Sequence, residues 1–378
     1  MSTEALRPIT ALTDIYGLRV FVRTGMDVPV EAGKVPEHYR IERALPTLKY
    51  LIERGARVVV INHIGRSVEA SNRPLVKALE EHIPISFIDD VVGERAFNAI
   101  VHMKEGTALM LENVRSCEGE KENDLEFAKK LAENGDFYVN DAFSVSHREH
   151  ASIVTLPTLL PSFAGITFLE EYEALTKAFT PDDPSLFILG GAKFDTKIPL
   201  VEKYVDIYTR TFIGGALAND FIKAKGYEVG KSLLSSADLS TSLLLERDNL
   251  LIPMDVIASV DSVWRETKAD MVMAHEQILD VGPQSISMLE PLIKSAKTIL
   301  WNGPLGNYEE GYGEATERCA RLVAESDGYS IVGGGDTVAA IESLKLEDSF
   351  DFISTAGGAM LEFLEKKTLP GIEALCKI

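Results

Sequence analysis

Apolar residues along this chain cluster in short β-rich runs, separated by stretches with helical spacing. In the second half, five such runs stop at small residues. Phe187-Ile188-Leu189 runs into Gly190-Gly191-Ala192-Lys193, and Thr211-Phe212-Ile213 into Gly214-Gly215-Ala216. Ile299-Leu300-Trp301 meets Asn302-Gly303-Pro304, Ser330-Ile331-Val332 meets Gly333-Gly334-Gly335-Asp336-Thr337, and the run at 352–355 meets Ala356-Gly357-Gly358-Ala359. Continuous apolar runs of this length suit strands buried on both faces, as in a parallel sheet. In the first half, residues 18–23, 57–62, 85–89, 108–112 and 137–140 read as buried strands. Residues 40–55 and 121–134 read as helices ending at Gly55 and Gly135. Pro46 is expected to kink the first of these or to mark its true start. Alternating strands and helices predict an α/β chain with parallel, doubly wound sheets.

Residues 168–179 read as one helix, followed by Pro181-Asp182-Asp183-Pro184, the strongest boundary signal in the chain. At 378 residues two domains are expected. The apolar fraction of 46% and charged fraction of 25% are those of an ordinary globular protein. A net charge of −20 argues against nucleic acid or an anionic membrane as a partner, but leaves room for a local basic cluster that binds an anionic metabolite. No apolar stretch approaches the roughly 20 residues of a membrane span. The first residues do not read as a signal peptide. Cys117, Cys319 and Cys376 show neither disulfide nor zinc spacing and suit a reducing cytoplasm.

Glycines at the carboxyl ends of parallel strands let a ligand approach the backbone, where the next helix opens with unpaired N–H groups. Five on one sheet predict a phosphate-rich ligand. Lys193 and Lys197, four residues apart at a helix start, share one face and can hold a phosphoryl group. Asp336 can cap the following helix, ligate Mg²⁺ beside substrate phosphates, or do both. The strand ends of the first half carry ionic groups instead: Arg23, Arg40, His63 with Arg66, Arg115, and His147 with Arg148. Arginines converging on one sheet edge suit bidentate capture of phosphate or carboxylate. His102 and His150 read as structural, and no histidine pair has metal-ligand spacing. A basic half and a phosphate cradle predict phosphoryl transfer across a cleft. No general base stands out, which favours a carboxylate acceptor, already ionised at neutral pH.

From near Leu18 onward the chain resembles the phosphoglycerate kinase family. The resemblance rests on ordered segments, among them 40–47, Asn62-His63-Ile64-Gly65-Arg66, Leu111-Glu112-Asn113-Val114-Arg115, 138–143, Gly190-Gly191-Ala192-Lys193, Asp280-Val281-Gly282-Pro283, 301–306, 333–337 and Leu369-Pro370-Gly371. It implies two Rossmann-like domains joined by an interdomain helix and a hinge. The expected boundaries are 1–166 for the triose-phosphate domain, 167–181 for the interdomain helix, 182–355 for the nucleotide domain, and 356–378 for a segment returning to the first domain. It implies reversible transfer between 1,3-bisphosphoglycerate and Mg-ADP, in a cytoplasmic monomer.

By the same resemblance, Arg23, Asp27, Arg40, His63, Arg66, Arg115 and Arg148 bind the acceptor. Arg40, Lys197, Gly334 and Gly358 act on the transferring group. Gly190, Gly191, Lys193, Lys197, Gly214, Gly215, Asn302, Pro304, Glu309, Gly333, Gly334, Gly335, Asp336 and Thr337 bind the nucleotide, with Asp336 also holding magnesium. Two departures concern the acceptor end. The family's usual Arg-Val-Asp-Phe-Asn-Val-Pro is here Arg23-Thr24-Gly25-Met26-Asp27-Val28-Pro29, and its Ala-Phe-Gly-Thr-Ala-His-Arg is Ala142-Phe143-Ser144-Val145-Ser146-His147-Arg148. They leave open a kinase of the same type with another phosphorylated acid as acceptor, and a non-catalytic nucleotide-binding relative. A dinucleotide-dependent oxidoreductase is disfavoured, because no Gly-x-Gly-x-x-Gly opens the first helix after a strand.

Overall fold

Strands form where β-branched and aromatic residues concentrate, and they end where a polar residue or glycine reaches the sheet edge. The computed structural model describes residues 6–30, 33, 35–36, 39–65, 67, 69–192, 194–236, 243–261 and 263–376. In chain order it contains β1 (Arg19–Thr24), α1 (Tyr39–Glu53), β2 (Arg57–Ile61), α2 (Arg73–Leu79), β3 (Ile85–Phe87), α3 (Glu94–Val101) and β4 (Thr107–Met110). There follow α4 (Glu118–Lys121), α5 (Leu125–Ala132), β5 (Phe137–Asp141), β6 (Ser162–Ala164) and α6 (Ile166–Lys177). The second half holds β7 (Ser185–Leu189), α7 (Phe194–Tyr204), β8 (Arg210–Ile213), α8 (Gly215–Ala224), β9 (Leu250–Leu251), β10 (Asp255–Val260), β11 (Val263–Lys268) and β12 (Gln277–Val281). It continues with α9 (Pro283–Ser295), β13 (Thr298–Asn302), α10 (Glu314–Ala324), β14 (Tyr329–Gly333), α11 (Gly335–Ser343), β15 (Phe352–Ile353), α12 (Gly358–Lys366) and α13 (Pro370–Cys376).

Two compact units result, Met1–Glu173 with Lys366–Ile378, and Ala174–Glu365. The first is built on a six-stranded sheet of order β3-β4-β2-β1-β5-β6, parallel throughout. Arg23 at the end of β1 stands opposite Ile61 on one side and Asn140 on the other. The register therefore brings the ends of β1, β2 and β5 to one edge, where the chain leaves β1 in both directions, the place ligands of such sheets occupy. The second unit has a parallel sheet of order β15-β14-β13-β7-β8-β9. Leu189 faces Asn302 and Ile213, and Asn302 faces Gly333, so four of the glycine turns share one edge.

The α/β class and the parallel sheets match expectation, and four local features differ. A three-stranded antiparallel sheet, β11-β10-β12, stands in the second unit. Its β11 is largely exposed, so it lacks the continuous apolar run that marks the other strands. The helix expected over 121–134 is two helices. The chain breaks at Asn123, whose φ is 54°, and the Asp124 side chain accepts from Phe127 N at 2.7 Å to start α5. Pro46 lies within α1, which starts at Tyr39, so it does not mark the helix start. The return to the first unit begins at Lys366 rather than at Ala356, because α12 is tied into the second unit. There Lys203 Nζ donates to Leu364 O and to Glu365 O, each at 2.7 Å, and Tyr204 donates to Leu364 O at 3.0 Å. In the first unit, α13 is joined to the rest by Gly371 N donating to Ser146 O at 2.9 Å.

The start of α6 is held by buried side chains. Ile166 N donates to Thr47 Oγ1 at 2.9 Å and Phe168 N to Asp141 Oδ1 at 3.0 Å. Burial pushes the Asp141 carboxyl up to about 6, against the pull of the Phe168 amide, Thr47 and Arg43. Its ionised form thus destabilises the folded state above that pH, and wild-type stability rises as pH falls from about 6 toward 4. Asp141→Asn keeps the acceptor for Phe168 and removes the charge. It is expected to be more stable than wild type by about 2–3 kcal/mol at neutral pH, with the gain gone below about pH 4, as read by urea unfolding across pH.

Candidate functional site

In the first unit three of the charged groups expected at the strand ends, Arg23, His63 and Arg115, lie together, joined by Asp27. Arg23 is fully buried, and its Nε donates to Ser152 Oγ at 2.9 Å, one Nη to Thr24 O, and the other to His63 Nδ1 at 3.0 Å. His63 is 1% exposed, and its Nε2 lies 3.3 Å from Asp27 Oδ2, close but poorly aligned for a hydrogen bond. Asp27 Oδ1 accepts from Gly65 N at 2.7 Å. Burial pushes the His63 pKa down to about 4, with Arg23 and Arg115 adding to the shift and Asp27 opposing it. Burial opposes the charge on Asp27, yet the contacts with His63, Gly65 and Arg115 hold its carboxyl at about 2.

Arg115 follows β4 and donates to Gly65 O at 3.0 Å; its Nε is buried without a hydrogen-bond partner among the described residues. Burial and the charges of Arg23 and Arg148 push its pKa down, against Asp27 and Glu120. Arg148 itself is exposed, and Arg40 stands half-buried on the first turn of α1. Arg66 lies outside the described residues. His150, read from the sequence as structural, joins this cluster. Burial, then Arg115, Arg23, His63 and Arg148, push its pKa down to about 4. A histidine two residues beyond Arg148 was the only signal for it.

The two motif departures are neighbours in space. A Cβ at Gly25 would stand 2.9 Å from Ser144 Oγ and 3.6 Å from Ala142 Cα. Where the family's usual pattern has Asp and Gly, this chain has Gly25 and Ser144, so the bulk has moved from one strand end to the next. Gly25→Asp alone must displace the Ser144 hydroxyl, whereas Gly25→Asp with Ser144→Gly frees the space. A double-mutant cycle in urea is expected to show a favourable coupling of about 1 kcal/mol.

In the second unit a cavity of about 440 Å³ opens at the glycine edge. That size suits a small-molecule site. It is lined on one side by Gly191, Lys197, Gly215, Asn302, Pro304, Gly334, Gly335, Asp336 and Gly358, with Glu309 on an exposed turn at its rim. Gly190, Gly214 and Gly333 lie behind this lining: Gly190 N donates to Asn302 O at 2.9 Å and Gly214 N to Leu189 O at 2.9 Å. The backbones approach too closely for side chains. A Cβ at Gly190 would sit 2.1 Å from Pro304 O, and one at Gly215, where φ is +59°, 2.4 Å from Gly191 N. Lys197 is 4% exposed on the first turns of α7, and its Nζ donates to Gly190 O. Lys193 lies outside the described residues.

Gly334, at φ +104°, precedes α11, whose first turn carries Asp336. Thr337 is buried beneath that turn, and its hydroxyl has no hydrogen-bond partner among the described residues. The lining also includes apolar residues, among them Ile222, Leu233, Val256 and Leu279. Sequence reasoning missed this part of the lining, because Val256 and Leu279 come from the unforeseen antiparallel sheet. Asp280 also lines the cavity. Its carboxyl accepts from Val281 N at 2.9 Å and from Ala315 N at 3.1 Å, and burial pushes it up to about 7 against those amides.

A glycine-edged, lysine-bearing cavity with apolar residues in its lining fits a nucleotide polyphosphate and its base. The arginines and histidine of the other unit fit a small anionic acid. The family model for phosphoglycerate kinase matches residues 9–367. The chain is 41% identical to the phosphoglycerate kinase of Methylorubrum extorquens (strain PA1), covering 96% of each chain. It is 40% identical to that of Sinorhizobium fredii, covering 97% of this chain and 98% of the relative. Among solved structures, phosphoglycerate kinase from Coxiella burnetii superposes with a TM-score of 0.86 at 37% identity, over 98% of this chain and 99% of that one. No helix among the described residues is long and apolar enough to cross a membrane. With its family model spanning nearly the whole chain and relatives alike in sequence and in structure, the chain belongs to the phosphoglycerate kinase family.

Proposed function

We infer that this chain catalyses reversible phosphoryl transfer between 1,3-bisphosphoglycerate and ADP, giving 3-phosphoglycerate and ATP, a step of glycolysis. The observation that carries this reading in the structure is the buried Lys197 ammonium, which lines the cavity and donates to Gly190 O beside Gly191 and Gly303. A buried cation beside glycine backbone is suited to charge that moves from one oxygen to another. The first unit takes the acceptor on Asp27, Arg40, His63, Arg66, Arg115 and Arg148, with the fully buried Arg23 bonded to His63. The second takes the nucleotide, its phosphates against the glycine edge and its base against Ile222, Leu233, Val256 and Leu279.

In the direction of ATP use, a carboxylate oxygen of 3-phosphoglycerate attacks the γ-phosphorus, and the bond from that phosphorus to the bridging oxygen of ADP breaks. No proton moves, so no general base is required. The protein's task is alignment and charge neutralisation, and the resemblance to the family assigns Lys197, Arg40 and the backbone at Gly334 and Gly358 to the transferring group. Magnesium fits the donor set. The described residues hold no group of three or more acidic, histidine or cysteine ligands, while Asp336 offers one carboxylate next to the phosphate edge. One carboxylate plus substrate phosphates is the usual way this ion is shared. When bound there, Mg²⁺ would neutralise phosphate charge.

We place the protein in the cytoplasm as a monomer, as its family resemblance implies. A coupled assay with 1,3-bisphosphoglycerate and Mg-ADP tests the activity. Turnover no greater than that of a Lys197→Ala control would refute it.

A further inference from the structure

A row of buried polar groups crosses the first unit and ends at Asp27. Glu120, on α4, is fully buried. Its carboxylate accepts from Ser152 N at 2.8 Å and from Ser152 Oγ at 2.6 Å. Ser152 is fixed on its far side as well, because its carbonyl accepts from the Tyr138 hydroxyl at 2.6 Å. Having given its proton to Glu120, Ser152 Oγ accepts from Arg23 Nε at 2.9 Å. Arg23 then donates to His63 Nδ1 at 3.0 Å.

The chemistry of the row has one direction. A guanidinium can only donate, so His63 Nδ1 must present its lone pair. The imidazole proton therefore resides on Nε2, the atom that faces Asp27 Oδ2 at 3.3 Å. Asp27 is the one member of the row that is not buried, its side chain being 39% exposed. With Gly65 N on one oxygen and His63 beside the other, its remaining lone pairs face outward. A buried arginine without a counter-charge is costly, and Glu120 supplies that charge through Ser152.

We propose that Glu120, Ser152 and Arg23 are positioning residues for the acceptor site, locking His63 as its neutral Nε2–H tautomer so that Asp27 is held as an ionised acceptor for a hydroxyl of the bound acid. The proposal rests on the acceptor reading given above. It gives Arg23 a part played through His63, in keeping with its complete burial. The groups that face His63 agree with a neutral ring: Arg23 and Asp27 from the end of β1, Arg115 after β4, and His150 after β5. Two of these four are cations, and the one anion among them is the one Nε2 faces.

Two measurements on the full-length protein test this. The first is ¹⁵N–¹H correlation of histidine-labelled wild type. His63 is expected to stay neutral with its proton on Nε2 between about pH 5 and pH 8. A proton on Nδ1, or a cationic ring at pH 7, overturns the proposal. The second is the kinetics of Ser152→Ala and Glu120→Gln, which cut the row while sparing His63 and Asp27. Both are expected to raise KM for 3-phosphoglycerate about tenfold, with KM for Mg-ATP unchanged and kcat within about threefold. A folded variant that keeps the wild-type KM for the acid, or raises both KM values alike, overturns it. If neither variant folds, the wild-type tautomer decides alone. The tautomer also separates the two readings, since it can be read even if the protein has no turnover on this acid.

Discussion

Lys197→Ala is expected to lower kcat by about 10²–10³-fold, while the KM values for both substrates change little. The side chain is almost wholly buried, and its ammonium is held by Gly190 O next to Gly191 and Gly303. A charge so placed interacts with an oxygen that becomes more negative as the phosphoryl group moves, and removing it costs most at that moment. The folded state should not suffer, because the variant also removes a buried cation. Steady-state kinetics with Mg-ATP and 3-phosphoglycerate, alongside a thermal melt, check both halves. A drop in kcat of less than about tenfold would leave Lys197 without a place in the transfer step.

Gly303→Ala is expected to cost about 3 kcal/mol or more of stability in the second unit, and to remove activity with it. Two effects act at this position. Its φ of +92° is in the region that favours glycine, and a Cβ would stand 2.5 Å from Gly190 O and 2.9 Å from Lys197 Nζ. The first atom belongs to a central strand end and cannot retreat. The second is the ammonium itself, so even a variant that folds would hold Lys197 in the wrong place. Urea unfolding of the variant, monitored at Trp301 two residues away, is the direct check. Unchanged stability would mean that the turn between β13 and the cavity adapts more freely than its close contacts imply.

Much of this architecture is legible in the sequence because strands buried on both faces leave continuous apolar runs, and several glycines that follow β7, β8, β13 and β14 (Gly190, Gly215, Gly303 and Gly334) stand where backbone approaches backbone. The cluster in the first unit was legible one arginine at a time. What escaped has a common cause. Val256 and Leu279 come from a sheet with an exposed face, where the apolar signal is diluted by polar positions. The break at Asn123 lies in the stretch 118–124, which carries no apolar residue and so no periodicity to mark it. Glu120 and Ser152 are 32 residues apart, and Ser152 is 129 from Arg23. Each alone looks like a surface residue, and only the fold makes them neighbours. Likewise, the exchange between Gly25 and Ser144 reads as two unrelated departures until the ends of β1 and β5 are seen side by side.

The placement of α13 has a consequence for the order in which the molecule comes into being. Its Gly371 bonds to Ser146, and a Cβ there would touch Ser146 and Ile153, so the segment that carries Ser152 is covered by residues from the far end of the chain. During synthesis the ribosome produces all of the second unit before α13 exists. That unit can fold as a whole while its predecessor waits. The nascent first unit therefore lacks one of its own walls for the time needed to translate the roughly 200 intervening residues, and during that time it offers exposed apolar surface to chaperones.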